Sequence, residues 1–243
     1  MNKKRYLIFI LLLFCGNLLL AQAPAWAGGA DQNDISFGFK FSYISSNFKI
    51  DKKPGWRAPF YDQLNKQYIT DTLNSIGSNP LPGFSVGFIT RYRITDHLEV
   101  RTTPGLIFTD RSINYGYLNP SQNVTKQVNS TAVEFPLALK LKSDRIGDLR
   151  AYILGGVKYT MAIGKNANDT GLAPLDKTVK NIGGFGSYEA GFGFDIYFEF
   201  FKLSPEIKLS NSFGNVMLPE NHAFSSPISK LSLHTIMFSL YFE

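Results

Sequence analysis

Eight stretches of alternating apolar and polar residues predict an all-β protein. Long and short connections alternate between them, and their apolar sides are crowded with Phe and Tyr. Together these three observations specify an eight-stranded antiparallel up-and-down β-barrel that spans a membrane, with long loops on one side and short turns on the other. The 243 residues include 21 Phe and 12 Tyr, an aromatic excess that favours strands.

The chain opens with a basic patch, Lys3-Lys4-Arg5, and an apolar run to about Ala21. Ala25-Trp26-Ala27 then fits a small-x-small cleavage site. Residues 1–27 therefore read as a cleaved signal peptide, 28–34 as a linker and 35–243 as the barrel. No other stretch is apolar for the ~18–20 residues a spanning helix needs. Cys15, the single cysteine, falls inside the signal, so the mature chain is expected to have neither disulfide nor thiol. The formal charge of +6 falls to +3 once Lys3, Lys4 and Arg5 are removed. With no Lys/Arg run, this gives no support for nucleic-acid binding.

The first strand is ISFGFKFSYI (35–44), with Ile35, Phe37, Phe39, Phe41 and Tyr43 on one face. FSVGFITRYRI (84–94) sets Phe84, Val86, Phe88 and Tyr92 against Ser85, Gly87, Arg91 and Arg93. LEVRTTPGLIF (98–108) is the third, and VEFPLALKLK (133–142) the fourth, where Val133, Phe135, Leu137, Leu139 and Leu141 alternate with Glu134, Lys140 and Lys142. LRAYILGGVKYTM (149–161), SYEAGFGFDIYF (187–198), FKLSPEIKLS (201–210) and SLHTIMFSLYF (232–242) complete the set. Long connections are expected at 45–82, 110–130, 162–184 and 211–230, and short ones at 95–97, 143–148 and around 199–200. The loose spacing of Leu64, Tyr68 and Leu73 admits a short helix within 45–80. With an even number of strands, both termini fall on the short-turn, periplasmic side.

The apolar face is too bulky for the interior of eight strands, which has room for little more than its own side chains. It must therefore meet lipid, and the small or charged face must line the lumen. That face carries Gly38, Gly87, Gly105, Gly156, Gly191 and Gly193. It also carries Lys40, Arg91, Arg93, Glu99, Arg101, Glu134, Lys140, Lys142, Arg150, Lys158, Glu189, Asp195, Glu206 and Lys208, charges of both signs able to pair. Such a barrel has no open channel unless its side chains leave one, so the chain is not read as a porin. Near the periplasmic end Arg91, Arg93, Arg101, Lys140, Lys142 and Arg150 outnumber Glu99 and Asp195. Part of that cluster is expected to be unpaired and wet, or to dock an acidic partner. Tyr43, Tyr92, Tyr115, Tyr117, Tyr188 and Tyr197 lie near strand ends, as an interfacial girdle requires, while Tyr159 fits it less well.

Chemical motifs are few. His97, His222 and His234 have no metal-ligand spacing. GGVKYTMAIGK (155–165) and GGFGSYEAGFG (183–193) lack phosphate-loop or dinucleotide spacing and read as strand packing. An enzymatic alternative is a lipid A-modifying barrel using a His, a Ser and a carboxylate. His222, Ser212, Ser225 and Glu220 in the last long loop have the residue types for it. No catalytic, cofactor or metal residue is otherwise assigned, and no small-molecule substrate is identified.

The chain resembles the PorT (SprT) family of type IX secretion and gliding-motility proteins. The resemblance rests on FGFKFSYISSNFKI (37–50), VGFITRYRITDHLEVRTTPGLIF (86–108), VEFPLALKLKSDR (133–145), FFKLSPEIKLSNSFGNVM (200–217) and FSLYFE (238–243). It implies a non-enzymatic barrel in the outer membrane of a Gram-negative bacterium, surrounded by outer-membrane lipids and needed for type IX secretion. Its expected partners are the giant translocon barrel or other components of that system. Outer-membrane barrels commonly end on an aromatic residue, and here Glu243 follows Phe242.

Overall fold

The computed structural model describes residues 33–63, 65–163 and 172–243. The expected signal, with Cys15, most of the linker and Leu64 lie outside them. The described chain forms twelve β-strands: β1 (Ile35–Lys52), β2 (Tyr61–Asp62), β3 (Gln67–Tyr68), β4 (Leu73–Gly77), β5 (Leu81–Arg93), β6 (Leu98–Thr102), β7 (Gly105–Tyr117), β8 (Val124–Lys142), β9 (Leu149–Ala162), β10 (Gly184–Tyr197), β11 (Lys202–Ser212) and β12 (Ile228–Phe242).

Eight staves close a ring in the order β1, β12, β11, β10, β9, β8, β6 with β7, β5, and back to β1. All neighbours are antiparallel. The register can be walked once round, from Ser46 to Thr235, Ser210, Glu189, Gly156, Ala138, Arg101, Arg91 and back onto β1 at Ser36. The walk returns ten residues from its start, a stagger that goes with strands tilted about 35–45° to the barrel axis. Closure leaves none of the eight staves an open edge, the condition for a sheet to sit in hydrocarbon.

β6 and β7 are one stave with a break. Both keep the same register against β5 and β8, and the gap falls at Thr103-Pro104, opposite Pro136. Neither proline has an N–H to give the ladder. Local bonds compensate in part: the Thr102 hydroxyl donates to the Pro136 carbonyl at 2.7 Å, and Phe88 N–H donates to the Pro104 carbonyl at 3.0 Å.

The two faces separate as the alternation predicts. On β8, Leu137 is 54% exposed and the adjoining Ala138 5%. Phe37, Phe39, Phe41, Phe84, Phe88, Leu139, Ile153, Phe192 and Phe238 likewise point out. Ring contacts link Phe198, Phe201, Phe242, Phe39 and Phe41 in a continuous aromatic run at the turn end. Towards the loop end, Phe84 stacks on Phe108 and Tyr188 leans on Phe213.

Three of the expected girdle tyrosines are not on the outside. Tyr115, Tyr117 and Tyr197 are buried, because each shares the inward parity of its strand with Arg111 or Asp195. Tyr159, which fits the girdle poorly by position, does face outward. The connection expected over 110–130 shrinks to 118–123, since β7 and β8 continue as a paired hairpin as far as Tyr115 and Val124. Among the described residues of 45–80 no helix forms. The short hairpin β2–β3 and the strand β4, paired with the top of β7, take its place.

Leu137→Arg is expected to destabilise the barrel by ~2–4 kcal/mol if it sits at mid-bilayer, and Ala138→Ser to be nearly silent. Urea titrations in lipid vesicles measure both.

Candidate functional site

The polar lumen is the feature that sets this barrel's behaviour, and it is built in tiers. The tier at the turn end is the densest. Glu99, from β6, lies 2.9 Å from Lys142, 3.3 Å from Lys140 and 3.5 Å from Arg91. Lys140 also donates to both oxygens of Asp195 at 2.9 Å, and Ser204 donates to the same carboxylate at 2.6 Å. Glu206 accepts from the Arg101 guanidinium, and from the Tyr152 and Tyr241 hydroxyls at 3.0 Å each. Arg101 lies over the Tyr241 ring and Lys140 over the Tyr152 ring, at 4.5 and 3.8 Å from the centroids. The Glu243 carboxylate completes the tier, 2.7 Å from Arg91 and 2.8 Å from Lys202.

This overturns the expectation of a wet, partly unpaired cation cluster. Arg91, Arg101, Lys140 and Lys142 are buried and engaged. The missing counter-charges come from Glu206 and Glu243, which tilt and ring closure bring to the same depth as β5, β6 and β8. Counting along the strands placed only Glu99 and Asp195 there. Arg93 and Arg150 do stay at the mouth.

Small residues make the tier possible. A Cβ on Gly193 would collide with the Tyr152 phenol, so glycine clears the space from which Tyr152 reaches Glu206. The crossing of β1, β5 and β7 is equally tight: a Cβ on Gly87 would strike the Pro104 carbonyl, and Gly105 gives way to the Lys40 side chain.

Above this tier Lys158 pairs with Glu134 at 2.8 Å, and Lys208 with Glu189 at 3.1 Å. Ser42 and Ser239 share a hydrogen bond, as do Ser46 and Thr235, and Arg111 donates to Ser46 at 3.1 Å. At the loop end the interior turns apolar. Phe48, Ile76, Ile113, Tyr115, Phe224 and Leu231 belong to a buried cluster that joins the upper barrel to the loops folded over it. The Tyr115 hydroxyl donates to the Phe224 carbonyl at 2.7 Å, tying the β7–β8 hairpin to the last loop.

The residues proposed for an enzymatic alternative sit in that cap, but not as a relay. His222 is buried; its Nδ1 accepts from Phe224 N–H at 3.3 Å and its Nε2 lies 3.4 Å from Glu220. The Ser225 hydroxyl donates to the Glu220 carbonyl at 2.7 Å rather than to the imidazole. Ser212 accepts from Leu233 N–H at 2.9 Å. All four residues shape the loop. A cleft of about 540 Å³ opens beside them, with Trp56, Phe60, Tyr61, Asp62 and His222 among its lining. His97 meets Asp144 at 2.9 Å and His234 meets Asn211 at 2.7 Å. No group of His, Cys, Asp and Glu among the described residues could hold a metal. The two glycine-rich stretches, where described, lie mostly in β9 and β10, as their packing reading requires.

A closed ring of outward hydrophobes around a charged, filled lumen is a transmembrane β-barrel. The sequence matches the outer membrane protein beta-barrel domain family over residues 21–218, and the chain belongs to that family. Curated proteins give no match. Among solved structures it is similar to OprG from Pseudomonas aeruginosa, with 12% identity and TM-score 0.48 over 86% of this chain and 92% of that one. Neisserial surface protein A is similar at 9% identity and TM-score 0.44, covering 86% and 98%. AlkL in DMPC bilayers is similar at 13% identity and TM-score 0.37, covering 93% and 94%.

Removing one partner of a buried ion pair leaves the other stranded. Arg101→Met alone is expected to cost about 3–5 kcal/mol, and Arg101→Met with Glu206→Met clearly less than the sum of the two single changes. Urea midpoints of the three variants in vesicles decide it; additive losses would mean that the two residues do not act as a pair.

Proposed function

We propose that this outer-membrane barrel is a non-enzymatic component of type IX protein secretion, and of gliding motility where that occurs, acting beside the translocon through its exposed surfaces. The secretion role is carried by the sequence resemblance, most specifically by KLSPEIKLSNSFGNVM (202–217) and FSLYFE (238–243). One structural observation supports a surface-acting part: the lumen is packed with paired charges at the turn end and apolar side chains at the loop end. With its interior filled, the barrel works through its two ends and its lipid face. The turn end is assigned to the periplasm, with both termini there, and the loop end to the exterior. The competing reading is a generic structural barrel of the same family.

Deletion of the gene is expected to abolish export of type IX cargo while leaving other outer-membrane proteins in place. Unchanged export would favour the generic barrel. For orientation, Asn79→Cys in the exposed approach to β5 is expected to react with an impermeant thiol reagent on intact cells. Ile146→Cys, in the β8–β9 turn, is expected to react only once the outer membrane is opened. The reverse pattern would invert the topology.

A further inference from the structure

Charge at the turn end is sorted by depth. The cations of the lumen tier are buried, whereas the groups offered to solvent are mainly acids. Asp144, Asp96, Asp148 and Asp34 have side chains 92, 83, 72 and 67% exposed, and Glu199 is exposed too. The arginines among them are partly exposed and already engaged. Arg93 is 30% exposed and bridges Asp34 and Asp96. Arg145 pairs with Asp148 and lies 4.1 Å from the centre of the Tyr197 ring. Arg150 donates to the carbonyls of Ser143 and Asp96. This rim is net acidic in a chain whose formal charge is +6.

The rim is also pre-organised. Arg150 ties the β5–β6 turn to the β8–β9 turn, and the His97–Asp144 contact at 2.9 Å ties them again. Tyr197 N–H, at the start of the β10–β11 turn, donates to the Asp148 carbonyl at 2.9 Å. A surface already fixed in place loses little freedom on binding. Two apolar side chains stand out from it, Ile146 at 82% and Phe200 at 85% exposure, one on each of the joined turns. Ile146 is flanked by Asp144, Arg145 and Asp148, a solvated setting unlike the lipid-facing wall.

We propose that this rim is a docking surface for a Lys/Arg-bearing segment of a periplasmic protein, its cations meeting Asp144, Asp148 and Asp96 and its apolar residues covering Ile146 and Phe200. The proposal rests on the periplasmic orientation given above. It reverses the sign of the partner that the sequence suggests, because four of the six cations counted there lie inside the lumen, and Arg93 and Arg150 are engaged by acids and carbonyls of the rim itself. Opposed charge steers association and makes it salt-dependent.

The test places a photo-crosslinking p-benzoylphenylalanine at position 146, and separately at 200, in living cells and identifies the adduct peptide by mass spectrometry. The expected adduct is a protein segment rich in Lys and Arg. Its yield should fall on the order of ten-fold in Asp144→Lys/Asp148→Lys and in high-salt-washed spheroplasts. If that variant loses the heat-modifiable mobility of the folded barrel, Asp96→Asn/Asp144→Asn replaces it, with a smaller drop expected. Adducts to lipid alone, adducts to an acidic segment, no adduct, or a yield unmoved by charge removal would each overturn the proposal. The secretion role is judged apart. An adduct with normal cargo export in the deletion strain would sink that role and leave the docking surface. Lost export with no adduct at either position would do the opposite.

Discussion

The structure depends on one constraint: a β-sheet wall in lipid has only its inside for polar side chains. Hydrocarbon cannot solvate them, so the charges of the membrane-spanning staves turn into a narrow lumen, where most meet an opposite charge or a hydrogen-bond partner. Pairing follows from confinement. Glu99 gathers Lys140, Lys142 and Arg91, while Glu206 gathers Arg101, Tyr152 and Tyr241. The glycines serve the same constraint by leaving the volume that the long charged side chains occupy. A buried pair adds little stability over an apolar filling, but each member makes the other indispensable. Such a lumen tolerates joint change better than single change.

The same confinement divides the molecule by depth. The turn end is closed by charge and the loop end by an apolar cap of Phe48, Ile113, Tyr115 and Phe224. In that cap the long loops act less as free appendages than as a lid continuous with the strands beneath. The β7–β8 hairpin rises to meet the last loop, and the Tyr115 hydroxyl bond to Phe224 fastens the two. The buried His222 and the hydroxyl of Ser225 belong to this fastening, so residue types that suggest catalysis in the sequence serve loop geometry.

The eight staves, their faces and three of the four long connections are legible in the sequence, because alternation is a local signal and lipid makes it strong. Leu137 and Ala138 show it in two adjacent letters. What was not legible was relative height. Tilt and the ten-residue stagger shift each stave against the next, so depth cannot be counted from strand ends alone. For that reason Glu206 and Glu243 escaped assignment to the turn-end tier, and the excess of cations there looked unpaired. Tyr115, Tyr117 and Tyr197 were misplaced for a simpler reason. They lie near strand ends, but parity with Arg111 and Asp195 turns them inward. Lys202 shares the inward parity of Glu206 on β11, and Tyr152 follows from the inward parity of β9. The second loop read too long because Asn, Ser and Gln suggest a loop, yet β7 and β8 pair through them.

The arrangement around Glu206 and Glu243 bears on the order in which the barrel can be made. Arg91 and Arg101 lie on staves laid down early in the chain; Glu206, the carboxylate partner of Arg101, and Glu243, which joins Glu99 at Arg91, come with or just after the last two. Until those arrive, the half-built wall carries stranded cations that hydrocarbon will not accept. Insertion ahead of closure therefore costs more, and the last strands bring further counter-charge together with their backbone bonds. The lumen thus ties the pairing of an early cation, Arg101, to the completion of the ring.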